Sequence, residues 1–246
     1  IVLPKIEEVH LKTQIRDELP QSGTGRTITT TEPKFIPAKA VELRLSDNTR
    51  FKVRMVDCVG YMVKNAIGHM EDGQPRMLNT PWNEEKIPFA EAAEIGTKKV
   101  IADHSTIGVL VTTDGSIGEI PREDYIPAEE RVVRELKELN KPFVIVLNST
   151  VPEEPATQKL CSELEMKYDT PVIAADCMKM DDHQIQGILT QVLYQFPAAE
   201  IGFMLPGFLK GLPEDHRIKK TIIEAIKDWC QNMNTVRDIK DTVAVL

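Results

Sequence analysis

Two uninterrupted apolar runs, at residues 107–111 and 143–147, constrain the fold of this chain more than any other feature. Each has the length of a strand and is followed by polar residues. A third short apolar run predicts a strand at 171–175. Strands that are apolar on both faces and alternate with helices indicate a parallel sheet covered on both sides. The sequence therefore predicts an α/β domain of three layers, α/β/α, with a mostly parallel sheet.

The stretch before these runs predicts an antiparallel hairpin. Residues 40–45 and 51–56 alternate apolar and polar side chains, and a turn at 46–48 separates them. We expect this hairpin to add an antiparallel edge to the sheet. The segment from 58 to 88 is rich in Gly and Pro and predicts irregular structure. Amphipathic periodicity predicts helices at 89–103, 127–139, 156–166 and 183–194.

The pattern changes after Pro197. Residues 198–209 are apolar but broken by Gly and Pro, and a helix is predicted at 213–232. We therefore assign residues 1–196 to the α/β domain. Residues 197–246 are expected to be a helical linker or the start of a second unit.

Composition excludes several classes of protein. A net charge of −8 over 246 residues argues against a protein that binds nucleic-acid backbones. No apolar stretch approaches the length of a membrane span. The 4 Cys are far apart, which indicates neither a zinc site nor a disulfide framework. We therefore expect a protein of the reducing cytoplasm.

The most specific local pattern is an apolar strand that ends in Asp57, with Gly60 three residues later. This is the D-x-x-G arrangement of nucleotide-hydrolysing switch proteins. A carboxylate at a strand tip can bind Mg²⁺, which prefers oxygen ligands. A glycine lets its backbone N–H approach a γ-phosphate closely. An Asp that merely begins a turn is the alternative explanation.

A Thr-rich loop, residues 27–33, precedes the hairpin. A switch loop uses a Thr hydroxyl for Mg²⁺ and a backbone N–H for the γ-phosphate, whereas the alternative is a solvated loop. The order of Thr loop, hairpin and D-x-x-G is that of switch-type P-loop NTPases, which favours the functional interpretation. Such proteins also need G-x-x-x-x-G-K-[ST]. The sequence has no such loop, and we expect it one strand and most of a helix before Ile1.

The strand ends also bear on the choice of base. Ligands of such sheets bind beyond the carboxyl ends of the strands, and these ends carry Asp57, residues 112–114, residues 148–150 and Asp176. GTP-specific proteins place N-K-x-D after the strand that here ends at Asn148. Residues 149–151 supply neither the Lys nor the Asp. Guanine preference is therefore unsupported, and ATP becomes plausible.

Several segments together resemble the stage IV sporulation protein A family, the morphogenetic ATPases of the spore coat in endospore-forming bacteria. They are DELPQS (17–22), TTEPKF (30–35), VDCVGY (56–61), NTPW (79–82), EAAEIGT (91–97), HSTIGV (104–109) and TTDG (112–115). The resemblance runs over essentially the whole chain and is most specific up to Asn148.

The resemblance implies a P-loop NTPase-like domain, derived from the translation-factor-type GTPase fold, that hydrolyses ATP with Mg²⁺. Hydrolysis in this family drives irreversible self-assembly into a static polymer that forms the base of the spore coat. The implied partners are copies of the protein itself, a small amphipathic membrane-bound anchor protein and other coat proteins. The implied location is the mother-cell cytoplasm, peripheral on the outer forespore membrane.

The family's functional residues map onto three positions of this sequence, and the D-x-x-G pattern and the polar strand end at Asn148 add two more. Thr30 and Thr31 match the sensor threonines that position the γ-phosphate, and Thr31 is also a candidate metal ligand. Asp57 matches the aspartate that binds Mg²⁺, and these three residues are the catalytic candidates. Gly60 and Asn148 complete the nucleotide-binding set. The family's phosphate loop and C-terminal regions have no counterpart here, which argues against activity of these residues alone.

Two other functions stay open at this point. The first is a nucleotide-independent structural scaffold with a degenerate NTPase fold, which the missing phosphate loop supports. The second is a regulatory GTPase, which residues 148–151 disfavour.

Overall fold

A computed structural model of the chain describes residues 34–44, 50–58, 60–66, 69–71, 73–80, 83–231 and 233–244. The chain divides into two compact units, Ile1–Thr190 and Gln191–Leu246.

The predicted hairpin is confirmed and is longer than expected. Strand β1 (Lys34–Arg44) pairs with β2 (Arg50–Asp57) in antiparallel register, with Val41 opposite Val53. Within the described ranges these two strands form a sheet of their own instead of the expected edge of the parallel sheet.

The segment that follows is less irregular than predicted. It contains two short antiparallel pairs, β3 (Met70–Glu71) with β4 (Gln74–Pro75) and β5 (Met77–Thr80) with β6 (Asn83–Pro88). Strands of two to six residues are too short to show a clear alternation of apolar and polar side chains. Proline within them also reads as a strand breaker, although edge strands tolerate it.

The predicted parallel sheet is confirmed. Its strand order is β7-β8-β9, and both pairs are parallel. The strands alternate with helices, and the first helix ends in a π-helical turn at Val100–His104. In chain order the elements are α1 (Phe89–Lys99), β7 (Gly108–Thr113), α2 (Arg122–Glu138), β8 (Phe143–Asn148), α3 (Pro155–Tyr168), β9 (Val172–Ala175) and α4 (Asp182–Tyr194).

Helix α2 begins earlier than the sequence predicts. The expected start was at Pro127, since proline is frequent at the first helical position. The helix instead begins at Arg122 and contains Pro127 in its interior. The first residues of α2 carry Arg122 and Asp124, which take part in the contacts described below.

The core of the first unit lies between the parallel sheet and helices α2 and α3. Val144 and Ile145 of the central strand β8 lie on opposite faces of the sheet and are both 0% exposed, as expected for a strand that is covered on both faces. The largest cluster of buried residues comprises Ile101, Val133, Leu136, Phe143, Ile145, Leu147, Cys161, Leu164, Tyr168 and Val172.

The second unit is helical, with α5 (Gly207–Lys210), α6 (Arg217–Gln231) and α7 (Val236–Ala244). A β-bridge between Pro197 and Thr235 joins the start of this stretch to the turn before α7. The helix predicted at 213–232 is confirmed as α6, whereas α7 has no counterpart among the predicted elements. No helix in the described ranges is both long enough and apolar enough to cross a bilayer.

Candidate functional site

The carboxyl ends of the three parallel strands bring polar residues to one edge of the sheet. Thr113 of β7, Asn148 of β8 and Ala175 of β9 lie side by side in register. The loops that leave these positions therefore start next to one another, and such edges are where open α/β sheets bind ligands.

Side chains tie the first two of these loops together. The hydroxyl of Ser116 donates to Oδ1 of Asp114 (2.6 Å) and accepts from the backbone N–H of Thr150 (2.9 Å). The backbone N–H of Ser116 also donates to Asp114 Oδ1 (2.9 Å). Burial alone raises the pKa of Asp114, but the hydroxyls of Ser116 and Ser149 outweigh it, so the pKa lies below its ordinary value. Asp114 is therefore ionised at neutral pH.

Asn148 ties the second loop to the third. Its Oδ1 accepts a hydrogen bond from the backbone N–H of Cys177 (3.0 Å), so the predicted nucleotide residue spans β8 and the loop after β9. The residue after it, Ser149, is 0% exposed. The polar residues at the strand ends of the sequence include Asp114 and Asn148. The link that Ser116 makes to Thr150 joins residues 34 positions apart, and the sequence pattern does not reveal it.

The structure places the other predicted pair, Asp57 and Gly60, in the turn after β2. Asp57 is the last residue of that strand and is exposed. Gly60 has φ of +79°, a conformation that favours glycine. A Cβ added at Gly60 would meet nothing within 4 Å, so the space beside its backbone is open.

Cys58 lies between Asp57 and Gly60 and is partly buried. Burial raises the pKa of the Cys58 thiol, and a hydrogen bond from the backbone N–H of Gly60 offsets only part of this effect. The sulfur therefore acts as a weak acceptor beside Gly60.

The segment after Gly60 is fastened to helix α2. Tyr61 is 8% exposed, and its hydroxyl donates to Oε2 of Glu135. The guanidinium of Arg131 lies 3.9 Å from the centre of the Tyr61 ring. Further along, Nδ2 of Asn65 donates to Oδ2 of Asp124 (2.6 Å). The segment therefore contacts α2 near the N-terminus of that helix, at Asp124, and near its C-terminus, at Glu135.

A second polar cluster lies inside the domain. The carboxylate of Glu129, whose side chain is 1% exposed, pairs with Arg122 (2.6 Å). It also accepts hydrogen bonds from the hydroxyls of Thr112 (2.6 Å) and Tyr168 (2.7 Å). These contacts join α2 to β7 and to α3, behind the carboxyl edge of the sheet. In the sequence, Glu129 stands beside Glu130 in a predicted helix, and nothing there marks it as buried.

The remaining predicted residues, Thr30 and Thr31, lie outside the described residues. The structure therefore brings Asp57 and Gly60 into one turn and places Asn148 at the end of a different sheet. In the part of the chain that the structure describes, no group of three or more His, Cys, Asp or Glu side chains is arranged to hold a metal ion.

Comparisons with known proteins give the same family over the whole chain. The family described as "Stage IV sporulation protein A, ATPase domain" matches residues 1–197, and "Stage IV sporulation protein A, middle domain" matches residues 198–246. Curated proteins with the name stage IV sporulation protein A are similar over 99% of this chain. Those from Clostridioides difficile (strain 630), Bacillus anthracis and Bacillus subtilis (strain 168) are 48%, 47% and 47% identical.

The chain spans about half the length of these curated relatives, namely 50%, 49% and 49% of each. The matched stretch contains the strand with Asp57, the three parallel strands and both clusters on α2. The resemblance seen in the sequence motifs is thereby confirmed, and the chain belongs to the stage IV sporulation protein A family.

Proposed function

We propose that this chain carries part of the nucleotide site of an ATPase whose hydrolysis of ATP drives self-assembly into a static polymer at the base of the spore coat. The observation that carries the proposal is the turn in which Asp57 ends a strand and Gly60 follows at positive φ beside open space. The match of residues 1–197 to an ATPase domain supports it.

We infer a P-loop NTPase-like fold of the translation-factor type. It is supported by a parallel sheet with intervening helices, preceded by an antiparallel hairpin that ends at Asp57. The same order of elements in the sequence, with a Thr-rich loop before the hairpin, supports the switch-type arrangement.

The residues of the turn fit a bound nucleotide and its metal. Asp57 offers an exposed carboxylate, the type of ligand that Mg²⁺ prefers, and Thr31 would be the second protein ligand. Bound Mg²⁺ neutralises charge on the phosphates. Gly60 would donate its backbone N–H to the γ-phosphate, which is a far better acceptor than the sulfur of Cys58. Thr30 and Thr31 would position that phosphate.

Asn148 would act on the base side of the site. Because its Oδ1 holds the backbone of Cys177, it fixes the loop after β9 at the carboxyl edge of the sheet. Residues 149–151 lack the Lys and Asp that would recognise guanine, which supports adenine.

The partners and the location are proposed on the family relationship alone. They are further copies of the protein, a small amphipathic membrane-bound anchor protein and other coat proteins. The proposed place of assembly is the outer forespore membrane, reached from the mother-cell cytoplasm.

The test uses a protein of the relatives' full length that carries this sequence. Asp57→Ala should abolish ATP hydrolysis, whereas Asp103→Ala, an exposed aspartate on the π-helical turn, should leave it unchanged. Replacing both Thr30 and Thr31 with Ala should permit ATP binding without turnover. Normal turnover in the Asp57 variant or in the double Thr variant would overturn the proposal.

Nucleotide choice and assembly are tested in the same protein. A fluorescent ATP analogue with Mg²⁺ should bind and be displaced by ATP more readily than by GTP. Polymer formation should require ATP. Assembly that proceeds equally well without nucleotide would instead favour a structural scaffold, and preference for GTP would favour a regulatory GTPase.

A further inference from the structure

The segment that follows Gly60 is anchored by Tyr61, a loop residue whose side chain is buried and hydrogen-bonded. Tyr61 is 8% exposed, and its hydroxyl donates to Glu135. Burial, and then the neighbouring carboxylate of Glu135, raises the pKa of Tyr61 well above its ordinary value. The hydroxyl therefore stays protonated and continues to donate at neutral pH.

Arg131 also contacts Tyr61, through the face of its ring. Its guanidinium stacks 3.9 Å from the ring centre, which is close for a cation–π contact. The same guanidinium pairs with Glu135 (3.3 Å) on α2 and with Glu94 on α1. The planar fork of an arginine suits this shared role, because it offers several donors in a fixed geometry. Tyr61 is thus bound to a charged network that spans two helices.

The contacts of Tyr61 with Glu135 and Arg131 constrain the position of the neighbouring Gly60 backbone. On one side Gly60 follows the end of β2, whose last residue Asp57 lies opposite Lys34 in the antiparallel register of the hairpin. On the other side it is bonded directly to Tyr61. With φ of +79° and open space beside it, Gly60 has no side chain of its own to fix it. Its N–H donates only weakly, to the sulfur of Cys58, so the direction of the N–H also depends on the residues that anchor the chain on either side.

We propose that Tyr61 is a positioning residue, which holds the Gly60 amide where it can donate to the γ-phosphate of a bound triphosphate. This inference rests on the proposed function, since it assumes that the turn after β2 meets the phosphates. Glu135 and Arg131 act through Tyr61 and do not touch the nucleotide. Loss of the hydrogen bond from Tyr61 to Glu135 weakens binding of a triphosphate and leaves binding of a diphosphate unchanged.

The chain offers a matched control. Tyr168 is also buried (5% exposed), and its hydroxyl also donates to a glutamate of α2, Glu129. Tyr168 belongs to α3 and not to the turn after β2. Tyr61→Phe and Tyr168→Phe therefore each remove a hydroxyl that donates to a glutamate of α2, but only the first change is next to Gly60.

The experiment measures affinity for a non-hydrolysable ATP analogue and for ADP, both with Mg²⁺, by displacement of a fluorescent nucleotide. It uses a protein of the relatives' full length. In Tyr61→Phe the ratio of the two affinities should fall about five-fold or more, the equivalent of one hydrogen bond. Glu135→Ala should give a similar fall, whereas the exposed Glu138→Ala and Tyr168→Phe should leave the ratio unchanged.

The outcomes separate this inference from the function on which it rests. A wild-type protein that binds neither nucleotide would overturn the proposed function and this inference with it, whereas equal affinity for the two nucleotides would overturn the inference alone. A wild-type ratio retained in both Tyr61→Phe and Glu135→Ala would overturn the inference alone. An equal fall in Tyr168→Phe would also overturn it, because the effect would then come from α2 as a whole. Thermal unfolding of each variant identifies any that does not fold.

Discussion

Helix α2 accepts a tyrosine hydroxyl at each of two glutamates, and the two sites differ in burial. The Glu129 side chain is 1% exposed and pairs with Arg122, whereas the Glu135 side chain is 17% exposed and pairs with Arg131. At Glu129 the donor is Tyr168, a residue of a helix. At Glu135 it is Tyr61, a residue of the segment after the Asp57 turn.

The comparison shows that one chemical device can serve two purposes. The cluster around Glu129 links β7, α2 and α3, all regular elements of the core, and so supports the fold. The cluster around Glu135 links a loop segment to α2, and so fixes the loop. Removal of the first should therefore cost stability, and removal of the second should cost less stability and more nucleotide selectivity.

The largest effect is expected from Arg122→Met. This change leaves the carboxylate of Glu129 buried without its cation, and breaking a buried pair in this way costs about 3–5 kcal/mol. Urea unfolding should show this loss in the free energy of unfolding. Arg134→Met removes an exposed arginine from the same helix and should change the value by about 0.5 kcal/mol or less. Equal effects of the two changes would show that the Glu129 cluster does not support the fold.

A smaller loss of stability is expected from Tyr168→Phe. A hydrogen bond to a charged group contributes about 1.5–3 kcal/mol, and the Glu129 site is buried enough for a value in this range. Tyr61→Phe should cost less, about 1 kcal/mol, because Glu135 remains partly in contact with solvent. The two free energies of unfolding, measured side by side, test the comparison directly. A larger loss in Tyr61→Phe would reverse the roles assigned to the two clusters.

The sequence predicted the regular part of the fold well, for a physical reason. Strands of a parallel sheet are typically apolar on both faces, so β7, β8 and β9 appear as short apolar runs, although Val109 and Val111 of β7 are exposed. The strands β3 to β6 lack this signature, since two to six residues carry too little periodicity. The early start of α2 was missed because Pro127 reads as the first residue of a helix.

The candidate site was predictable only where it is local in sequence. Asp57 and Gly60 stand three residues apart, and the end of an apolar strand marks their place. The contact between Tyr61 and Glu135 joins residues 74 positions apart, and the contact between Tyr168 and Glu129 joins residues 39 positions apart. Which face of α2 meets which partner depends on how the elements pack, and a single sequence does not show it.

Acid should weaken the Glu129 cluster without any substitution. Burial alone raises the pKa of Glu129, but donors from Arg122, Thr112 and Tyr168 outweigh it, so the folded-state pKa lies below the ordinary value. A depressed pKa contributes stability above the unfolded-state pKa, and this is lost as pH falls through the folded-state value. The difference in urea midpoint between wild type and Glu129→Gln should therefore narrow below about pH 5. A difference that stays constant in acid would contradict this assignment.

The smallest effect is expected from Lys167→Met. Lys167 pairs with Glu130 of α2 at 2.6 Å and lies 4.9 Å from the centre of the Tyr168 ring, so it resembles Arg131 over Tyr61. Its side chain is 46% exposed, however, and an exposed ion pair contributes only about 0–1 kcal/mol. Urea unfolding should show a change in this range that shrinks further in high salt, because salt screens exposed charges. A loss as large as that of Arg122→Met would mean that contact geometry, and not burial, sets the strength of these clusters.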